Sequence, residues 1–76
     1  MRNLYDAAQN GDIDVVKALI VAKADINQAA NNGTTSLFAA AEQGHIDVIK
    51  VLLAKGASVS KADDNGITPL YVAAVK

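Results

Sequence analysis

Cysteine is absent from this sequence, proline occurs once, and only three residues are aromatic. Without cysteine the chain has no disulfide framework, no thiolate ligands for zinc and no thiol nucleophile, so packing alone must stabilise the fold. Hydrophobic residues make up 51% of the 76 positions, but 15 of these residues are alanine. The composition therefore predicts one small domain with a shallow core and excludes a large enzyme.

An excess of charge of one sign and long apolar runs are also lacking. Seven basic and eight acidic side chains give a formal net charge of −1, which provides no electrostatic attraction for nucleic acid or an anionic membrane. No uncharged apolar run approaches the roughly 18 residues of a membrane span, and the N-terminus lacks the apolar core of a signal peptide. We expect an intracellular, cytoplasmic protein that binds neither nucleic acid nor membrane.

An internal repeat organises the chain. Shifting the sequence by 33 residues leaves 43 overlapping positions, of which 17 are identical. All three aromatic residues, Tyr5, Phe38 and Tyr71, occupy one repeat position. A fixed period of this length is typical of a stacked array, in which each unit buries its apolar face against its neighbours.

Each repeat contains two apolar stripes with helical spacing, which predict two short helices per unit. In the middle unit the first stripe contains Leu37, Ala40 and Ala41, and the second contains Val48, Ile49, Leu52 and Leu53.

Capping and turn residues mark the ends of these helices. Thr35 and Thr68 stand where a hydroxyl can cap the first helix, and Gly44 and Gly56 stand where the two helices end. The Asn-Gly pairs at 32–33 and 65–66 predict hairpin turns between units. The predicted fold class is an all-α repeat solenoid of stacked helix-turn-helix units joined by β-hairpin-like loops.

These motifs carry a family resemblance over essentially the whole chain. The segments 65–74 and 40–57 contain Thr-Pro-Leu, Ala-Ala, Gly-His, Leu-Leu and Gly-Ala in a fixed order, and this pattern resembles the ankyrin repeat. Three departures stand out. Tyr5, Phe38 and Tyr71 replace the family's histidine, so we expect the hydrogen bonds of that histidine between loops to be missing. Ser36 replaces proline, and Lys23 stands where the next unit has Gly56.

The alignment of the repeats divides the single array into three units. Residues 1–29 form an N-terminal capping-type repeat that has Arg2-Asn3 in place of Thr-Pro, 30–62 form a full repeat, and 63–76 form a partial repeat. Because about three repeats are needed for a stable array, we expect the natural protein to continue beyond Lys76.

Candidate catalytic and metal-binding residues have simpler structural interpretations. His45, the single histidine, lies in a Gly-His pair that the resemblance assigns to the framework, and no nucleophile has a base beside it. Asp63-Asp64-Asn65-Gly66 lacks the alternating carboxylates and the glutamate of a calcium loop, and is interpreted as a turn. We predict no enzyme activity, no cofactor and no metal.

One modification site follows from the resemblance. Leu19, followed after five residues by Asp25-Ile26-Asn27, resembles the pattern preferred by the ankyrin-directed asparaginyl hydroxylase of animals. The resemblance makes Asn27 a possible acceptor, although the same residues also belong to the repeat framework.

The resemblance implies a non-catalytic module that binds another protein through hairpin tips and the concave face of the first helices. The alternative is a structural spacer or capping segment of a larger ankyrin-domain protein whose activity lies elsewhere. The predicted contact residues occupy variable repeat positions on that surface, except for Asn32 and Asn65, which are identical and which the turn itself also requires. They are Asp6, Gln9 and Asn10 in the first unit; Asn31, Asn32, Thr34, Ala39, Glu42 and Gln43 in the second; and Asp64, Asn65, Ile67, Val72, Val75 and Lys76 in the third.

Three positions carry sharper expectations. Ile67 replaces Thr34 of the previous unit, so we expect it to be exposed at a hairpin tip, either as an interface anchor or as a neutral surface residue. Lys23 is expected in the left-handed conformation that ends the second helix. The face around Leu70, Ala73 and Ala74 has no second helix of its own, so we expect self-association there or a frayed last helix.

Overall fold

The computed structural model describes residues 3–75 of the chain. Lys76 and Arg2, which the sequence analysis places on the binding surface and in the capping unit, lie outside the described residues. Within residues 3–75 no helix is long and apolar enough to cross a membrane. The helices of this part of the chain are α1 (Leu4–Asn10), α2 (Ile13–Val21), α3 (Ser36–Gln43), α4 (Ile46–Ala54) and α5 (Pro69–Val75).

The helices form two layers. In the first layer α1 packs on α3 and α3 packs on α5, while α2 packs on α4 in the second layer. Within a unit, α1 packs on α2 and α3 on α4. This arrangement confirms the predicted all-α array of helix pairs, and the described part measures 29 × 22 × 19 Å.

Side chains cap the first-layer helices. The Thr35 hydroxyl accepts a hydrogen bond from the Phe38 amide (3.3 Å), and the Thr68 hydroxyl accepts one from the Tyr71 amide (3.1 Å). In α1 the Asn3 side chain accepts from the Asp6 amide (2.8 Å), one repeat position later than Thr35. The cap satisfies an amide that the helix itself leaves unpaired, so α1 begins at Leu4 instead of one residue earlier.

Left-handed residues end the second-layer helices. Lys23 follows α2 with φ +70°, and Gly56 follows α4 with φ +95°. Lys23 is the one non-glycine residue with positive φ among residues 3–75, which confirms the expectation from the repeat alignment. Because a Cβ atom crowds the backbone in this conformation, the first unit is strained where the second unit is relaxed.

The core is shallow, as the alanine content predicts. Its largest fully buried aliphatic side chains are Leu52, Val16 and Val48. The main cluster lies between the layers and contains Leu4, Ala7, Ala8, Val16, Leu37, Ala40, Val48 and Leu52. A second cluster, nearer the C-terminal end, contains Phe38, Ala41 and Val72, with Ile49 and Ile67 packed against it.

The loops between units are tight turns, and residues 3–75 contain no strand. In one turn the Ala30 amide donates to the Thr34 carbonyl (2.8 Å), and in the other the Asp63 amide donates to the Ile67 carbonyl (2.8 Å). The predicted turns between units at the Asn-Gly pairs are therefore confirmed. Only the glycine of each pair has positive φ, so the turns are not of type I′, which needs positive φ at both central residues.

Candidate binding surface

A polar cleft of about 460 Å³ lies between the N-terminal part of α1 and the loop that leads into the second unit. Tyr5 and Asp6 line it from α1, and Asp25, Gln28 and Asn31 line it from the loop. The side chains present carboxylates, amides and a hydroxyl, all of which can hydrogen-bond to a partner's backbone. Two of the predicted contact residues, Asp6 and Asn31, are brought together here.

Asp25 and Gln28 of the cleft are not among the predicted contact residues. Asp25 and Gln28 occupy variable repeat positions, since their counterparts in the next unit are Ser58 and Lys61. The same criterion of variability that selected Asp6 and Asn31 would have selected both residues, had it been applied to residues 25–30 as well as to the hairpin tip and the first helix.

The structure exposes most of the predicted contact residues and partly exposes one more. Gln9 is half-buried, and Val75, at the end of α5, is exposed. The other exposed members are Asp6, Asn10, Asn31, Asn32, Glu42, Gln43, Asp64 and Asn65. These side chains are available to a partner, and most of them are amides or carboxylates.

Four predicted contact residues are instead covered by the array itself. Thr34 is 4% exposed, Ala39 2% and Val72 6%, so their side chains cannot contact a partner. Ile67 is half-buried against the cluster that contains Phe38 and Val72, so the expectation that it is exposed at a hairpin tip is wrong. Thr34, Ile67 and Val72 lie at contacts between units, where we expect variability to reflect the neighbouring unit.

We use the term first interface for the contact between residues 3–29 and 30–62. Here the hydroxyl oxygens of Tyr5 and Thr34 lie 3.1 Å apart, and the Thr34 hydroxyl lies 2.6 Å from Asn32 Oδ1. Since Asn32 Oδ1 can only accept, the Thr34 hydroxyl donates to it and accepts from Tyr5. The expected loss of hydrogen bonding at the histidine position is therefore wrong for Tyr5, which supplies its own hydrogen bond to the next loop.

The second interface is the contact between residues 30–62 and 63–75. At the positions equivalent to Tyr5 and Thr34 it has Phe38 and Ile67, which share one apolar cluster. The loops also touch through their backbones, since the Asp64 amide donates to the Asn32 carbonyl (3.0 Å). The two interfaces thus use one pair of repeat positions with opposite chemistry.

His45, directly before α4, contributes another contact to the first interface. Its Nε2 lies 3.0 Å from the Gln9 carbonyl, and because a carbonyl only accepts, Nε2 donates. A Cβ built on Gly11 would come within 2.7 Å of the His45 ring, so the imidazole packs where the glycine has no side chain. His45 is engaged in contacts between units, and no group of residues able to hold a metal ion occurs within residues 3–75.

Asn27 joins the first two units as well. Its Nδ2 donates to the Gly56 carbonyl (3.2 Å), and its Oδ1 accepts from the Ser58 amide (2.7 Å). The side chain is half-buried, and both of its polar atoms are occupied. Its modification by a hydroxylase stays a prediction, and the enzyme would have to gain access to a side chain engaged in these two bonds.

The C-terminal end of the array presents apolar residues to solvent. Leu70 is 61% exposed and Tyr71 58%, and Ala73 and Ala74 are also exposed. A small groove of about 80 Å³ between α4 and α5 is lined by Ile49, Leu53, Leu70 and Ala73, among others. Leu37 and Phe38 are buried in the middle unit, whereas their repeat counterparts Leu70 and Tyr71 are exposed.

Comparison with known sequences gives one family. Residues 4–76 match the family model described as "Ankyrin repeats (3 copies)". No curated protein matches the chain. The match covers nearly the whole sequence and agrees with the helix pairs, the tight turns and the 33-residue period described above.

Proposed function

Because the chain belongs to the ankyrin repeat family, we propose that it is a non-catalytic module that binds a partner protein through the cleft beside α1 and the exposed turn residues. Ankyrin repeats are generally protein-protein interaction modules. The observation that carries the proposal is the cleft, which Asp6, Asp25, Gln28 and Asn31 line together. Rigid presentation lowers the entropy that binding removes, so few contacts are enough for a specific complex.

The contact surface that we propose is smaller than the sequence suggests. It consists of the exposed predicted residues together with Asp25 and Gln28, and it excludes the buried side chains of Thr34, Ala39 and Val72 and the half-buried Ile67. We place its centre at the cleft because carboxylates and amides there come from two segments of the chain. A cytoplasmic location fits this role and stays a prediction.

Matched variants in a pull-down from extracts of the source cells test this proposal. Asp6→Ala and Asn31→Ala change the cleft, while Asp14→Ala removes an equally exposed carboxylate from the first turn of α2. Asp6 and Asp14 interact similarly with a helix N-terminus, so the two alanine variants lose comparable stability. We expect one protein to be lost with both cleft variants and retained with Asp14→Ala.

The competing function is a structural spacer or capping segment, and the exposed apolar residues at the C-terminal end favour it. A spacer requires no partner at the cleft. Retention of every captured protein by the two cleft variants would contradict the binding proposal and support the spacer.

We also propose that isolated chains associate through the face around Leu70, Ala73 and Ala74. Burial of apolar surface provides roughly 25 cal/mol per Å², so a few hundred Å² is enough to drive weak association. Sedimentation at rising concentration should show association in the unmodified chain and its loss in Leu70→Lys. A monomer at every concentration, with full amide protection in α5, would contradict both association and fraying.

A further inference from the structure

A second groove lies on the helices of the second layer, between α2 and α4. It has a volume of about 590 Å³ and shares no lining residue with the cleft beside α1. Its lining consists of Lys17, Ile20, Val21, Lys23, Val51, Ala54 and Lys55. The residues that line the groove are therefore four apolar residues and three lysines, with no acidic residue among them.

This concentration of positive charge contrasts with the chain as a whole, which carries a formal charge of −1. Helix stability accounts for only part of it. Lys55 follows the last turn of α4, where a cation interacts favourably with the helix C-terminus. Lys17 lies in the middle of α2 and gains nothing from that effect. Its repeat counterpart is Lys50, so the repeat itself accounts for Lys17, whereas the repeat does not account for Lys23.

Lys23 is present at the cost of backbone strain. It has φ +70° at a position where the next unit has Gly56, the residue that adopts this conformation freely. Strained backbone that the fold does not require is found most often at functional sites. Here the strained residue adds a third ammonium group to the rim of the groove.

Val21 supplies an apolar contact that the scaffold does not need. It is 81% exposed, and its repeat counterpart is Ala54. Together with Ile20 and Val51 it gives the groove an apolar lining beside Lys17, Lys23 and Lys55. An apolar lining beside cations complements a segment in which apolar and acidic side chains alternate.

We propose that this groove binds an acidic amphipathic segment of a partner protein. Carboxylates of the segment pair with the three lysines, and an apolar side chain packs against the apolar lining. The site goes beyond the proposed function, since it lies on other helices than the cleft. A protein segment fits better than an anionic membrane surface. Membrane-binding clusters typically contain four to eight basic residues on an open face, whereas this concave site holds three.

Titration of the full ¹⁵N-labelled chain with short synthetic peptides tests the proposal. The peptides alternate leucine with glutamate, with glutamine or with lysine. We expect the glutamate peptide to shift amides of residues 17–23 and 51–55, and to bind more weakly as the salt concentration rises. The glutamine and lysine peptides should cause little change.

Lysine variants test which side chains contribute to peptide binding. Lys17→Gln and Lys55→Gln should each weaken binding of the glutamate peptide about two- to fivefold, as expected for exposed ion pairs. Lys50→Gln is the matched control, because Lys50 occupies the repeat position of Lys17 but does not line the groove. Val21→Ser removes an exposed apolar contact and should weaken binding without lowering stability.

Lys23→Gly separates binding from folding. It removes an ammonium group and also relieves backbone strain, so peptide affinity should fall while resistance to urea rises. Partial unfolding would lower both peptide affinity and resistance to urea, so it cannot explain this result. Equal affinity for all peptides, an equal loss with Lys50→Gln, or shifts confined to the cleft would overturn the proposal. Binding of phosphatidylserine vesicles without binding of the glutamate peptide would overturn it in favour of a lipid site.

Discussion

The two interfaces between units both stack first-layer helices, but they differ in chemistry. The first is joined by side-chain hydrogen bonds of Tyr5, Asn27 and His45. The second depends on the apolar contact of Phe38 with Ile67 and on backbone bonds between loops. The same two repeat positions hold a hydroxyl pair in one interface and an apolar pair in the other.

In each interface the residues at these two positions match each other in chemistry. A tyrosine hydroxyl buried against isoleucine would lose a partner, and an unsatisfied polar group costs more than the bond itself contributes. Replacing both members of the pair avoids that penalty. Variability at Thr34 and Ile67 therefore reports on the neighbouring aromatic residue and not on an external partner.

The largest effect is expected where the second interface is tightest. Gly33 has φ +82°, and an added Cβ would lie 2.7 Å from Asp64 Oδ1 and 2.9 Å from the Asp64 nitrogen. Gly33→Ala should cost about 3 kcal/mol of unfolding free energy, from backbone strain and displacement of the next loop. Gly66→Ala is the control, since no atom lies within 4 Å of its Cβ, and should cost only about 1 kcal/mol. Equal losses of unfolding free energy for the two variants would show that the loop around Asp64 moves away from the new Cβ at no cost.

Truncation of Ile67 should have the next largest effect. Ile67→Ala removes half-buried methyl groups from the cluster around Phe38 and should lower the unfolding free energy by about 2 kcal/mol. Val21→Ala, at an exposed position, should leave it nearly unchanged. An unchanged urea midpoint for Ile67→Ala would restore the interpretation of this residue as a free surface contact.

A double-mutant cycle can convert the first interface into the second type. Tyr5→Phe and Thr34→Ile should each cost about 1 kcal/mol, because each leaves a hydroxyl or its partner unsatisfied. The double variant should cost less than the sum by about 1 kcal/mol, since it recreates the Phe38–Ile67 pairing. Strict additivity in urea unfolding would mean that the two positions are independent.

The smallest effect concerns backbone strain at the ends of α2 and α4. Lys23→Gly should raise the unfolding free energy by somewhat less than about 1 kcal/mol, because the gain is partly offset by a more flexible unfolded chain. The reverse change, Gly56→Lys, should lower it by a similar amount, since no atom lies within 4 Å to obstruct the side chain. A lower urea midpoint for Lys23→Gly would contradict backbone strain at Lys23.

Much of the fold was predictable because its determinants are local or periodic. Thr35 and Thr68 cap the helices that directly follow them. The left-handed conformation of Lys23 was predictable from its repeat counterpart Gly56. The proposed binding surface was less predictable. Asp25 and Gln28 join Asp6 only because the loop folds back along α1, a proximity that no local pattern encodes.

The sequence by itself determined the helix pairs, their ends and the order of the units, because helices and turns depend on residues within a few positions of each other. Only the tertiary structure decided which variable positions are free. Thr34 is buried through contact with Tyr5, and Ile67 is partly buried through contact with Phe38, 29 residues earlier in each case. The exposure of a side chain depends on what packs over it, and in a stacked array the covering residue belongs to the neighbouring unit.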